Sequence, residues 1–247
     1  MLIVCNWKAY VETEAKAKKL YITAKKLALS KAHEIVLAPS SPHLGVLAGI
    51  GKSRVVLGAQ DLSQSLGGAA TGEITAATLK DAGASYVILG HSERRALGET
   101  DAVIVEKVRH ALAHGLIPIL CVGERARDDE AKYLGFLRAQ IDAVFSVLSA
   151  KERLTMVVAY EPIWAIGKTA EEAITENDLT EMVLYLRKAL STYIPGNGSA
   201  KVRILYGGSV EAGNARSLST ATGIDGFLIG HASVDSATLT ALVKAVS

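Results

Sequence analysis

The chain has 247 residues, of which 49% are hydrophobic and 21% charged, and its formal net charge is +2. This composition excludes disorder as the main state, and so weak and scattered a charge gives no argument for nucleic acid or an acidic membrane as partner. The length fits a single α/β barrel, and a globule of this size needs no disulfide staple.

Eight short apolar runs follow one another along the chain. They are Leu2–Cys5, Glu34–Ala38, Val55–Ala59, Tyr86–Leu89, Ile117–Val122, Met156–Tyr160, Val202–Tyr206 and Gly226–Ile229. Each is rich in β-branched residues and reads as a strand. The mean hydropathy of +0.26 suits strands buried on both faces, which read as continuous apolar runs. Helix-spaced stripes separate them. Leu134, Leu137, Ile141, Val144, Phe145 and Leu148 form one. Leu179, Met182, Val183, Leu186 and Leu190 form another, and Leu239, Leu242, Val243 and Val246 a third. Thr175 to Asp178 resembles a capping box before the second stripe, with Asp in place of Glu. Lys16, Lys18, Lys19, Lys25 and Lys26 read as the solvated face of an early helix. Evenly spread βα repeats predict a closed (β/α)8 barrel, one domain over 1–247. A doubly wound open sheet is the runner-up.

Cys5 and Cys121 sit in apolar runs and read as buried free thiols, which suits a reducing, cytoplasmic location. There is no CxxC, no Cys/His cluster, no membrane-length run and no visible secretion signal.

In such a barrel, chemistry sits just past the C-terminal ends of the strands. The residues there are Asn6, Lys8, Gln60, His91, Glu93, Gly123, Glu124, Glu161, Gly207 to Ser209, Gly230 and His231. Gly207, Gly208 and Gly230 would let backbone approach a phosphate closely, although glycines alone leave tight turns equally open. Lys8 could neutralise a phosphate or an oxyanion, the plain alternative being a surface lysine. His91 opens a helical turn, where the dipole disfavours imidazolium, so a neutral ring could polarise a carbonyl. Otherwise it is a histidine satisfied by local backbone. Glu161, fixed by Pro162, suits a general base, against a capping or ion-paired role. The stretch from Ile163 to Ala170 has small residues at its centre, as a mobile lid would. Gly167-Lys168-Thr169 imitates the end of a P-loop, but Pro162 stands where the leading glycine is required. Together these residues suit proton abstraction beside a carbonyl on a small phosphorylated substrate, the chemistry of a phosphosugar isomerase or aldolase.

Six stretches then carry a family resemblance from end to end. They are Asn6-Trp7-Lys8, Gly58-Ala59-Gln60, Thr71-Gly72-Glu73-Ile74, Gly90 to Arg95, Tyr160 to Gly167 and Tyr206 to Val210. In this order and spacing the chain resembles the triosephosphate isomerase family. The resemblance implies interconversion of two triose phosphates, with Glu161 as base, His91 as electrophile and Lys8 as the cation holding phosphate and offsetting enediolate charge. It implies that Asn6 orients the substrate and that Gly167, Ser209, Gly230 and His231 contact phosphate, largely through backbone N–H. Glu93, Ser92, Tyr206, Gly207 and Gly208 would support them. Thr71 would buttress the neighbouring active site across a homodimer interface. No metal or organic cofactor is implied.

Three departures stand out. Gly167 runs straight into Lys168, so the lid lacks two residues at its tip, and the stretch Glu171 to Asn177 is longer in return. Ser209 thereby loses its usual lid partner, while Tyr206 keeps Ala170 as a latch. The expectation is a lid that closes on a weaker latch. His231 replaces a second glycine and either points outward, the favoured reading, or adds pH dependence to phosphate binding. Ala70 is smaller than the residue usual before Thr71, which would loosen the dimer contact. A non-catalytic phosphate-binding relative is the competing function. An aldolase would want a Schiff-base lysine or metal ligands that the sequence does not offer.

Overall fold

The computed structural model of the chain describes residues 1–167 and 174–247. Eight parallel strands close into a barrel in chain order. They are β1 (Leu2–Asn6), β2 (Glu34–Ala38), β3 (Val56–Ala59), β4 (Tyr86–Leu89), β5 (Ile117–Val122), β6 (Val157–Tyr160), β7 (Arg203–Tyr206) and β8 (Gly226–Ile229). Closure is made by β1, which pairs with β2 on one side and with β8 on the other, Leu2 beside Gly226 and Cys5 beside Ile229. The open sheet is thereby excluded. Around the barrel lie α1 (Glu14–Leu27), α2 (Ser41–Ala48), α3 (Ala76–Asp81), α4 (Ser92–Ala96), α5 (Asp101–Ala113), α6 (Lys132–Phe145), α7 (Ala150–Thr155), α8 (Glu176–Ser191), α9 (Ala215–Leu218) and α10 (Ser236–Ala245).

Period-two alternation sorts each strand into two cores. Leu2, Val4, Val36, Tyr86, Ile88, Ile119, Val157, Ala159, Leu205 and Leu228 fill the barrel interior. Ile3, Cys5, Ile35, Leu37, Val87, Leu120, Val158, Ile204 and Phe227 face the helices. Both faces are buried, which is why the runs carry no polar alternation. The α8 stripe is buried at all five expected positions, and Thr175 caps that helix by accepting the Asp178 N–H. Thr175 also donates its hydroxyl to the Asp178 carboxylate, since the shorter acid replaces the reciprocal bond of a full capping box.

Three strand starts are later than the sequence suggests. Val55 gives its N–H to Ser53 Oγ, Met156 to the end of α7, and Val202 to the carbonyl of Ser199. Each is held by its own local turn instead of a neighbouring strand.

The N-terminal mouth of the barrel is plugged by Tyr86, whose hydroxyl donates to Glu34 Oε1 at 2.6 Å and accepts from Arg203 at 2.6 Å. Arg203 also reaches Glu34 Oε2 at 2.7 Å. Burial and the Glu34 carboxylate push the Tyr86 phenol up to about 12, so it stays a donor. With that end sealed, the open cavities near the chemistry-bearing residues lie at the other.

Candidate active site

The same alternation that fills the barrel sets the site. Asn6 continues the inward series Leu2, Val4; Glu161 continues Val157, Ala159; Gly207 follows Leu205. Polar side chains enter where the strands end, and Asn6 and Glu161 stay buried there.

A cavity of about 400 Å3 opens over them. Asn6, Lys8, His91, Glu93, Glu161, Gly167, Gly207, Gly208, Ser209, Gly230 and His231 all line it, so every catalytic and substrate-binding residue expected from the sequence meets in one place. Three of the supporting residues act differently. Ser92 takes part through its backbone, Tyr206 is buried beneath Gly208, and Thr71 stands on a separate exposed loop.

His91 precedes α4 and caps it: the Glu93 N–H donates to His91 Nδ1 at 3.2 Å. A nitrogen that accepts from a backbone N–H carries no proton. That leaves Nε2 as the ring nitrogen able to carry the proton, and it lies 3.3 Å from Glu161 Oε1. The other carboxylate oxygen accepts the Ser92 N–H at 3.0 Å. One oxygen of Glu161 is thus held by the Ser92 N–H, and the other lies beside the His91 ring. Beside it lies the Cys121 thiol, which burial and then the Glu161 charge push well above its usual range. That thiol stays protonated.

Lys8 adopts φ +46, a left-handed conformation that costs a lysine energy and persists only when its surroundings impose it. They do so here. The Lys8 N–H donates to Asn6 Oδ1 at 3.1 Å, and its carbonyl accepts from Gln60 at 2.9 Å and Ser40 at 3.3 Å. The ammonium meets Glu93 Oε1 at 2.7 Å, and Gly230 lies close to its stem.

Behind the base, Glu124 is almost fully buried and accepts from the Tyr160 hydroxyl at 2.7 Å and the Trp164 indole at 2.9 Å. Arg127 lies over the Trp164 ring, 5.0 Å from its centre, and reaches the same carboxylate. The segment leaving Glu161 is thus tied to the loop after β5. Ser209 ties it to the loop after β7, donating to the Ala165 carbonyl at 3.1 Å. The expectations for Lys168, for the Ala170 latch and for the start of the lengthened stretch at Glu171 fall on 168–173, outside the described residues.

Sequence reasoning assigned no role to Gln140 or Arg95. Gln140 brackets Gly123, accepting its N–H at 2.9 Å, and Arg95 donates to the Gly90 carbonyl at 2.8 Å. Gln140 had a signal: it is a polar residue one turn from Leu137 and Val144, inside the apolar stripe of α6. Arg95 had none beyond its motif, because its partner was unknown.

An imidazole fixed by backbone, a buried carboxylate and a cation at the mouth of a closed parallel barrel are the parts of a (β/α)8-barrel enzyme that could move a proton beside a carbonyl. A family model described as triosephosphate isomerase matches residues 1–246. The triosephosphate isomerase of Symbiobacterium thermophilum is 37% identical over 249 aligned positions, covering 100% of this chain and 96% of the relative. That of Rhodopirellula baltica is 39% identical, with 99% and 97% covered, and that of Magnetococcus marinus 41%, with 94% and 93% covered. The chain belongs to the triosephosphate isomerase family.

Proposed function

We propose that the chain interconverts dihydroxyacetone phosphate and glyceraldehyde 3-phosphate, the step that serves glycolysis and gluconeogenesis, as one barrel domain over 1–247. Glu161 takes a proton from the carbon beside the carbonyl. His91 Nε2–H donates to the carbonyl oxygen and stabilises the enediolate that forms. Lys8 offsets its charge. Glu161 returns the proton to the neighbouring carbon, and His91 moves the hydroxyl proton between the two oxygens, so no proton is gained or lost. Asn6 orients the substrate, and backbone N–H groups of Gly167, Ser209, Gly230 and His231 hold the phosphate. The lid, two residues shorter than usual in the family, excludes water that would let the enediolate lose phosphate.

The observation that carries this reading is that the Glu93 N–H occupies His91 Nδ1, while Nε2 stands 3.3 Å from Glu161 Oε1 in the cavity that Lys8 also lines. A coupled assay on glyceraldehyde 3-phosphate, with methylglyoxal followed in the same tube, tests it. Glu161→Gln lowers kcat by about 10²–10⁴-fold while inorganic phosphate still binds. Wild-type protein that binds phosphate but turns nothing over would mean a non-catalytic binder.

The homodimer and the cytoplasm belong to the same proposal. The two buried, unpaired cysteines fit a reducing compartment. Among the described residues no helix is long and apolar enough to cross a membrane. The dimer is supported by the exposed loop that carries Thr71 and by a cavity of about 730 Å3 between the loops after β1, β3 and β4.

A further inference from the structure

The chain turns sharply after β8. Gly230 leads into a single 3-10 turn, His231–Ser233, and the turn is braced from below. Ser233, fully buried, donates its hydroxyl to the Gly230 carbonyl at 2.6 Å, and the Val234 N–H reaches the His231 carbonyl at 3.2 Å. Thr238 holds the Ala232 carbonyl at 3.0 Å. This rigid turn sets the His231 ring edge-on to Tyr10, 5.8 Å between centres at 83°. Tyr10 is itself fixed, its N–H donating to the Trp7 carbonyl at 3.1 Å and its carbonyl accepting from Lys16 at 3.0 Å. Both rings line the cavity that holds Ser209, Gly208 and Lys8. Among the described residues no hydrogen bond or ion pair occupies a nitrogen of the His231 ring.

We propose that His231 is a further substrate-binding residue, whose side chain, braced by Tyr10, donates a charge-assisted hydrogen bond to the phosphate of the bound triose. The inference rests on the phosphate reading of this cavity and deepens it. It takes up the second of the two readings that the sequence left open for His231.

The charged and titratable groups that line the same cavity come from four other loops. Lys8 and Tyr10 follow β1, His91 and Glu93 follow β4, Glu161 follows β6 and Glu211 follows β7. Lys8 is already paired with Glu93, and Glu161 accepts the Ser92 N–H. That pairing leaves the His231 ring N–H available to a phosphate oxygen. A charge-assisted contact from an imidazole is told from a neutral one by comparing variants across about pH 5 to 8. The phosphate group loses charge over part of the same range, and that effect cancels when two enzyme variants are compared at one pH.

The experiment measures KM for glyceraldehyde 3-phosphate and Ki for inorganic phosphate at several pH values, for wild type, His231→Gln and His231→Lys. Both constants for His231→Gln exceed the wild-type ones about fivefold near pH 6, the size of one exposed charge contact, and approach them near pH 8. The change falls on KM more than on kcat. His231→Lys keeps its charge throughout and binds phosphate tightly at both ends of the range. Tyr10→Ala releases the ring and shows part of the same loss. A glutamine-to-wild-type ratio that stays flat with pH overturns the proposal. Failure of the triose reading shows separately, as wild-type protein without turnover whose phosphate affinity can still be compared with that of His231→Gln.

Discussion

A methyl group placed at Gly207 would lie 2.9 Å from Glu161 Cγ and 3.5 Å from Oε1. That approach is too close for carbon, and the neighbour that must give way is the Glu161 side chain, the proposed base. Gly207→Ala therefore lowers kcat by about 10–100-fold, because small misplacements of a reacting group are costly, and leaves phosphate inhibition nearly intact. Steady-state kinetics with inorganic phosphate as inhibitor separate the two effects; an equal loss in kcat and phosphate affinity would contradict the argument. At Gly208 the added carbon meets the Tyr206 hydroxyl, away from Glu161. Both glycines stood out in the sequence as a backbone that could approach phosphate. The need for space beside Glu161 was not legible, since it follows from how near the end of β7 comes to the end of β6. That His91, Glu161 and Lys8 would meet at one cavity was legible because each lies at or just past a strand end, and a strand end in a closed barrel has only one place to point. The tautomer of His91 required the Glu93 N–H to be seen.

The segment after Glu161 leaves the barrel through an element whose parts come from two strands. Glu124, past β5, holds Tyr160 at the end of β6 and Trp164 in the 3-10 turn Ile163–Ala165. Glu124→Ala strands a buried hydroxyl and a part-buried indole N–H, at a cost of about 1–3 kcal/mol for each group left unpaired. The Arg127 guanidinium loses its carboxylate in the same step. The expected result is a lower melting temperature and a kcat reduced by about tenfold, with a changed Trp164 emission reporting the loosened hinge. Trp7, the other tryptophan, is fully buried in the outer core and serves as the internal reference. Unaltered emission together with unaltered kcat would remove Glu124 from the hinge. The sequence showed Glu124 only as a residue past a strand, because its partners lie 36 and 40 positions away. Elements whose signal is local were read more fully. Strands β2, β4, β5 and β8 begin and end where their apolar runs do, and α8 follows its stripe and its Thr175 cap. Where Met156 and Val202 extended a run, the competing helix and turn ends were invisible to hydropathy.

At the scale of the whole molecule, closure was legible and the plug at the bottom was not. Eight evenly spaced runs fix the number of strands, whereas the Glu34–Tyr86–Arg203 cluster joins positions 52, 117 and 169 residues apart. The top of the barrel carries a feature that the single chain leaves uncovered. The loop after β3 closes on itself through the Ser63 N–H and the Ile74 carbonyl at 2.9 Å, and its tip carries Leu66, 76% exposed. Leu97, 79% exposed, stands at the rim of the larger cavity between the loops after β1, β3 and β4. Two large apolar side chains left so open, beside a concave surface, are the pattern of a contact awaiting its second half. On the proposed homodimer the loop of one copy enters the cavity of the other, and its tip, with Thr71, comes to rest against the loops that hold Lys8 and Glu93. Wild-type protein then sediments as a dimer of 26.0 kDa chains at micromolar concentration. Leu66→Asp puts an unpaired charge into that contact and shifts the population to monomer. Its kcat falls with it, in proportion to the monomer fraction, because each cavity loses the loop that covers it. Dilution of the wild-type protein through its dissociation range must then trace the same line of activity against dimer fraction. A monomer with full turnover would break that line and detach the loop from catalysis.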